Sequence, residues 1–507
     1  MIGSARSVAL SGLDGQVIEV EAALGGGLPR TVIVGLPDTA LYQARDRVKA
    51  AIGTSGLAWP DRLVTINLTP ATLPKAGSHY DLAIAAAVLR ANGTVPGDLL
   101  NDTILMGELG LDGRVHPVRG VLPALLAASH AGFTRAIVPY QHVGEANLVD
   151  AITVWGVRHL RDVMDVLQGH PVLLPEPPPP EVTQSAAGLD LADVVGHHEV
   201  KWMLEVAAAG RHHLFLHGAP GVGKTMLAAR LATILPDLTV AEALEVTAIH
   251  SLAGTPISDQ LITRPPFADP HHSASMVALV GGGPRAAQPG AVSRAHLGVL
   301  FLDEAPEFPG KLLDSLRTPL ECGSILISRS GAQVRYPARF QLVMAANPCP
   351  CGQYGNPNGR CQCPPMAVRR YLARISGPLL DRIDLQQTVR PVRQSLLAQA
   401  PPGESSGTVR ERVAQARQRQ ARRLAGTGWT TNAEVSGSFL RMSLPLPLGI
   451  EMIDQAVAHG SLTSRGVDRV LRVAWTVCDL AGADRPTSDH LRLALAMRRG
   501  EAVGAAA

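Results

Sequence analysis

Aromatic residues are scarce in this 507-residue chain, at 4%, and its charges nearly cancel: 46 Lys and Arg against 43 Asp and Glu leave a formal net charge of +3. Near-balance excludes a polycation, so any surface for nucleic acid has to be local. Composition alone does not predict DNA, and with few aromatics and no base-reading motif in view any such contact would be independent of sequence. No stretch reaches the roughly 20 apolar residues that a membrane span needs, and the opening MIGSARSVALSGLDG holds no apolar signal core. The expectation is a cytoplasmic protein without a membrane segment. Cysteine is scarce too, six in all. Cys322 and Cys478 stand apart while the other four fall within fifteen residues, which argues against a disulfide framework and for metal.

What the chain does hold is a glycine-rich run, GAPGVGKT, at 218–225. A polyphosphate calls for many N–H donors, one mobile cation and a magnesium ion. Gly218, Gly221 and Gly223, with Ala219, Pro220 and Val222 between them, form a loop whose amides can turn toward phosphates without Cβ clashes. Lys224 supplies the charge on the β- and γ-phosphates, and Thr225 offers a hydroxyl to Mg²⁺ at the start of a helix. The apolar residues 214–216 read as the buried strand this motif requires. About eighty residues on, GVLFLDE repeats the logic: an apolar strand carries Asp303 to the metal and Glu304 to an attacking water. These residues predict an ATP-hydrolysing protein that uses Mg²⁺.

Length suggests about three domains. Consecutive prolines at 171–187 cannot enter a core and read as a linker. Upstream, at 1–170, strand-like runs at 16–20, 31–34 and 62–67 alternate with helical patterns at about 38–54, 79–91 and 118–131, an α/β layer. Residues 188–400 hold the phosphate loop and are expected to form a parallel sheet with its site at the strand carboxyl ends. Residues 401–507 read as a helical lid, with segments at about 408–424, 447–459 and 463–482.

The segment NPCPCGQYGNPNGRCQCPP sets Cys349 and Cys351 on one side of a polar loop at 349–363, and Cys361 and Cys363 on the other. Four thiolates from two close pairs can surround one structural Zn²⁺; reduced thiols without metal are the alternative. His271 and His272 read as a loop or pore contact. The arginines of TVRERVAQARQRQARR at 408–423 suit phosphates, a solvated lid helix or an interface to the next subunit. Lys311 and Arg329 are further positions that could meet DNA.

Two stretches of the amino-terminal region, LPKAGSHYDLAIA at 73–85 and GELGLDGRVHPVRGVLPALLAA at 107–128, resemble the Lon-protease-like fold, also called S5 domain 2-like. Active members use a Ser–Lys dyad. Those two positions fall here at His79 and Leu122, so the resemblance implies a scaffold without peptidase chemistry. ISGPLLDRIDL at 375–385, MAANPCPCG at 344–352 and FADPHHSASMVALVGGG at 267–283 resemble the Mg-chelatase-like AAA+ proteins of the YifB/ComM family. That resemblance implies an α/β P-loop AAA+ domain with a carboxyl-terminal helical lid. It makes Asn347 the sensor 1 residue that orients water, and Arg382 an arginine finger supplied by the neighbouring subunit of a hexamer. Arg465, in preference to Arg469, becomes sensor 2. It further implies a helicase that acts on DNA and promotes branch migration in recombination. A chelatase-type ATPase that remodels a protein partner is the alternative, and an ATP-dependent protease the third. Two departures from the family pattern are His197, where Gln is usual, and Trp475, where Arg is usual.

Overall fold

The computed structural model describes residues 1–35, 39–73, 75, 77–96, 99–170, 172, 188–283, 287–329, 332–355, 360–392 and 403–501. Most of the proline-rich stretch expected as a linker, 173–187, lies outside the described residues.

Alternation of apolar and polar residues drives the amino-terminal unit. Ile2–Ser11 and Asp14–Gly25 pair antiparallel through a two-residue loop, from Ser11 opposite Asp14 to Ile2 opposite Ala23. Seven strands form one mixed sheet in the order Arg30–Val34, Leu63–Thr69, Asp14–Gly25, Ile2–Ser11, Thr103–Leu105, Arg135–Pro139 and Thr153–Val157. The helix Asp81–Ala91, DLAIAAAVLRA, is buried at every position but Arg90. Such a sequence has no polar face to turn outward, so it packs into the sheet's core. Its acidic first residue, Asp81, is paired with Arg47 at 2.9 Å. Burial raises that carboxyl to about 6, against the pull of Arg47.

The second unit is built on five parallel strands in the order Phe267–Ala268, Val299–Leu302, Gln341–Ala346, Leu214–His217 and Leu385–Thr388. Val299–Leu302 and Gln341–Ala346 are buried at every residue. Near-continuous apolar runs of this kind are what a parallel sheet covered on both faces requires. A separate antiparallel ribbon, Ser324–Arg329 with Ala332–Pro337, leaves the sheet just before Gln341. The two units meet where the helix Val240–Ala253 lays Ala248 and Leu244 into the core of the amino-terminal unit. There the Ser251 hydroxyl donates to the buried carboxylate of Glu145, which also accepts from the Leu122 amide.

The carboxyl-terminal helices do not have a core of their own. Val409, Val413, Val470, Ala474, Trp475, Leu491 and Met497 belong to one buried cluster with Leu227 and Leu231 of the helix Lys224–Ile234. The basic helix Ser406–Arg423 explains how the junction is closed. Five of its six arginines are engaged within the chain, on Thr233, Glu205 and Glu404, Ala208, and Asp479. Arg410 donates to the carbonyl of Thr233 and Arg417 to that of Ala208. Those carbonyls lie in the last turns of Lys224–Ile234 and His198–Gly210, where unsatisfied C=O groups and the negative end of the helix dipole favour a cation. In place of a stripe free for phosphates, solvent or another subunit, five of these arginines make contacts within the chain. Trp475 is buried, with the Arg423 guanidinium 4.4 Å above its ring.

Among the described residues no helix is long and apolar enough to cross a membrane. Arg423 holds the buried Asp479 by two bonds of 2.6 and 2.7 Å. Arg423→Ala should therefore destabilise the carboxyl-terminal helices by about 3–5 kcal/mol, the cost of stranding a buried charge; denaturant unfolding followed by Trp fluorescence measures it. His213 accepts the Leu342 N–H on Nδ1 at 3.0 Å, which requires an unprotonated ring. Burial pushes this imidazole down to about 4, although Asp384 pulls the other way. A depressed folded value against about 6.5 unfolded means that this stability is full above pH 6.5 and is lost as pH falls through 4. The melting temperature of His213→Gln should accordingly fall less steeply than that of wild type between those limits.

Candidate nucleotide-binding site

Leu214–His217 ends at the phosphate loop, and close approach dictates what can follow. A Cβ on Gly218 would stand 2.5 Å from the Val389 carbonyl oxygen of the neighbouring chain segment, so only glycine fits. Gly223 caps the helix Lys224–Ile234 with φ +91°, a left-handed conformation that glycine adopts without strain. The helix start thus points its free N–H groups out over the carboxyl end of the sheet. His197 of the preceding segment, also left-handed at φ 52°, brings its ring to this loop: Nε2 lies 3.9 Å from where a Gly223 Cβ would be.

The parallel strand order explains the rest of the constellation. Gln341–Ala346 lies between Leu214–His217 and Val299–Leu302, so Asn347 emerges between the phosphate loop and Asp303. Lys224 donates to the carbonyls of Gly218 and Ala219 at 2.8 and 2.9 Å and to Asn347 Oδ1 at 2.9 Å. Burial holds its ammonium below the usual lysine range, while Asp303 and Glu304 act in the opposite direction. The Thr225 hydroxyl donates to Asp303 Oδ2 at 2.5 Å. One hydroxyl and one carboxylate in contact are the hard oxygen pair that suits Mg²⁺. Asp303 Oδ1 accepts the Glu304 amide at 2.9 Å, and Glu304 itself sits at φ 51°, a conformation that costs a non-glycine residue about 1–2 kcal/mol. His272 Nδ1 lies 3.6 Å from the Glu304 carboxylate. His272 is the residue that sequence reasoning missed here: the pair His271–His272 was legible as a polar loop, but not its approach to Glu304.

Arg382, Arg465 and Arg469 lie elsewhere. Leu385 is in register with Leu214 and Thr388 with His217, so Arg382, three residues before Leu385, stands at the amino end of the sheet. At about 3.3 Å per residue, the strand alone sets Leu385 roughly 13 Å from the level of the phosphate loop of the same chain, and Arg382 lies in the turn before it. It borders a cavity of about 190 Å³ together with Glu321, Asp384, Arg465 and Arg469. There it pairs with Glu321 and donates to the Pro378 carbonyl at 2.6 Å. Arg469 is committed to the buried Asp384 at 2.6 Å, and this carboxyl stays well below the usual range because Arg469 and the neighbouring histidines outweigh its burial. Arg465 is 75% exposed, 3.8 Å from Asp381.

The four cysteines of the expected metal loop come together: the Sγ atoms of Cys349, Cys351, Cys361 and Cys363 all lie within 4.8 Å of one another. The helix Pro365–Leu372 follows, and just past it Arg374 reaches Glu307 Oε2 at 3.0 Å and the Pro306 carbonyl at 3.3 Å, bracing the turn after Glu304. In the amino-terminal unit, Leu122 is buried, His79 Nε2 lies 3.0 Å from the Val8 carbonyl and the Ser78 hydroxyl is bonded to Glu108.

Comparison with known proteins fits this geometry. Residues 190–397 match the family described as magnesium chelatase, subunit ChlI; residues 20–142 match subunit ChlI of Mg-chelatase, and 403–498 its C-terminal family. An uncharacterized protein of Mycobacterium tuberculosis is 52% identical over 98% of this chain and 99% of its own. YifB of Escherichia coli is 42% identical over 96% of this chain and 95% of its own. Competence protein ComM of Haemophilus influenzae is 39% identical over 97% and 96%. A partial likeness to Lon protease 2 of Bacillus subtilis, 30% identical, covers 25% of this chain and 22% of that protein. The chain belongs to the YifB/ComM family of Mg-chelatase-like AAA+ proteins.

Proposed function

We propose that this protein is a cytoplasmic ATP-driven ring motor, a hexamer that moves along DNA without reading its sequence and promotes branch migration, as a ComM-like helicase would. The observation that carries the reading is the split of the site: Lys224, Thr225, Asp303, Glu304 and Asn347 gather at one end of a sheet whose other end bears Arg382. In this reading Lys224 and the amides of 218–225 bind the triphosphate, and Thr225 and Asp303 hold Mg²⁺. The metal, when bound, neutralises charge on the β- and γ-phosphate oxygens. Glu304 accepts a proton from the attacking water, which Asn347 helps to orient. Arg382 is too far from its own loop to serve it, so it completes the site of the next subunit, with the exposed Arg465 beside it as sensor 2. The cysteine quartet holds one structural Zn²⁺. The ribbon Ser324–Arg329 and Ala332–Pro337, with exposed Leu326 and Arg335, is the element that would meet the DNA backbone.

Arg382→Ala should lower the ATPase rate on the order of 10³-fold while leaving nucleotide binding intact. Mixing it with Lys224→Ala subunits should restore part of the activity, because each supplies what the other lacks; mixtures no faster than their components would rule out a shared site. The substrate is tested by steady-state ATPase with and without forked DNA at low, stated salt, wild type beside Glu304→Gln. Several-fold stimulation that the variant lacks is expected. A rate indifferent to DNA would favour the chelatase-type remodeller of a protein partner.

A further inference from the structure

The cysteine loop does more than follow Asn347 in sequence; it presses on the phosphate loop. Cys349 Sγ lies 3.3 Å from Cys351 Sγ and 3.7 Å from Cys361 Sγ, and Cys351 to Cys361 is 3.6 Å. Four sulfurs at about 2.3 Å from a tetrahedral Zn²⁺ stand about 3.8 Å apart, close to this spacing. Cys349 is fully buried and its sulfur accepts the Tyr354 amide at 3.4 Å, a bond that suits a thiolate. The turn from Cys349 to Gly352 is closed by the Gly352 amide on the Cys349 carbonyl at 2.9 Å. Gly352 has φ +74°, and a Cβ there would stand 2.5 Å from Cδ and Cγ of Pro220. Pro220 is the third residue of the phosphate loop. Two residues before Cys349, Asn347 holds Lys224. Past Cys363, the helix Pro365–Leu372 leads to Arg374, which braces Glu307. The thiolate cluster therefore joins the three segments that frame the nucleotide: the phosphate loop, the strand that ends at Asn347, and the turn after Glu304.

We propose that a Zn²⁺-class ion on Cys349, Cys351, Cys361 and Cys363 is a working part of the nucleotide site, fixing Gly352 against Pro220 and Asn347 against Lys224, so that metal occupancy sets nucleotide affinity. The inference rests on the reading that residues 218–225 bind nucleotide. Coupling is reciprocal: whatever factor the metal adds to nucleotide affinity, nucleotide must add to metal affinity.

The test uses the full chain, purified under reducing, anaerobic conditions, with zinc quantified by elemental analysis. A fluorescent ADP analogue is titrated into the zinc-loaded, chelator-stripped and zinc-reloaded protein. Stripping should weaken binding roughly tenfold, within the usual range of coupling between sites, and reloading should restore it. Gly352→Ala should keep one equivalent of zinc and still bind the analogue more weakly, because the added methyl pushes on Pro220. Should stripping unfold the chain, Co²⁺ titration of the refolded protein reads the same coupling through its thiolate charge-transfer band, which should saturate at lower Co²⁺ when ADP is present. Lys224→Ala should abolish nucleotide binding while retaining zinc. Equal nucleotide affinity with and without metal, Gly352→Ala indistinguishable from wild type, Co²⁺ affinity indifferent to ADP, or less than a few tenths of an equivalent of zinc would each overturn the proposal. A zinc-loaded wild type that binds no nucleotide would instead overturn the reading of 218–225.

Discussion

Lys224 is satisfied by three acceptors, and one of them, Asn347, arrives on the strand that separates the phosphate loop from Asp303. Everything at this end of the molecule follows from that insertion. Because a parallel sheet delivers all its strands' carboxyl ends to one side, the residue after each strand faces the same space. Three strands suffice to bring a cation, a hydroxyl, two carboxylates and an amide together. The polar groups need no long-range steering, only the order of strands. Two of those strands, Val299–Leu302 and Gln341–Ala346, are buried at every residue, as a parallel sheet covered on both faces requires.

The opposite end of the sheet is governed by charge balance. Asp384 is buried yet ionised because Arg469 and the His213 amide reach it. Arg382 is similarly occupied by Glu321. An arginine that is to serve a neighbouring phosphate must exchange one anionic partner for another, so its carboxylate partner holds it in place without making it inert. Arg465, 75% exposed, stands 3.8 Å from Asp381, a looser pairing than that of Arg469 with Asp384 at 2.6 Å.

The residues that meet around Lys224 were legible because their chemistry is local: GAPGVGKT and VLFLDE each carry a strand, a turn and polar side chains in a few residues. The pairing of distant elements was not. Nothing in the spacing of Arg410 and Arg417 tells a phosphate contact from a helix-end contact, since both demand a cation on an exposed helical face; only the docking of Ser406–Arg423 on two helix ends decides it. The strand Ile2–Ser11, absent from the expected list, is an edge-to-centre case of the same kind: IGSARSVALS carries small and polar residues that weaken alternation, and its place in mid-sheet comes from partners on both sides. The cysteine quartet could be read as a metal loop from sequence, whereas the contact of Gly352 with Pro220 depends on how two loops from different strands meet.

The sharing of one core by the carboxyl-terminal helices and the helix Lys224–Ile234 has a mechanical meaning. Val470, Trp475 and Leu491 share their packing with Leu227 and Leu231 behind the phosphate loop, and Arg410 is fastened to the end of that same helix. A hinged flap would have to tear this packing to open. Any displacement of the helix Lys224–Ile234 would therefore have to carry the packed carboxyl-terminal helices with it, as a crank carries its arm.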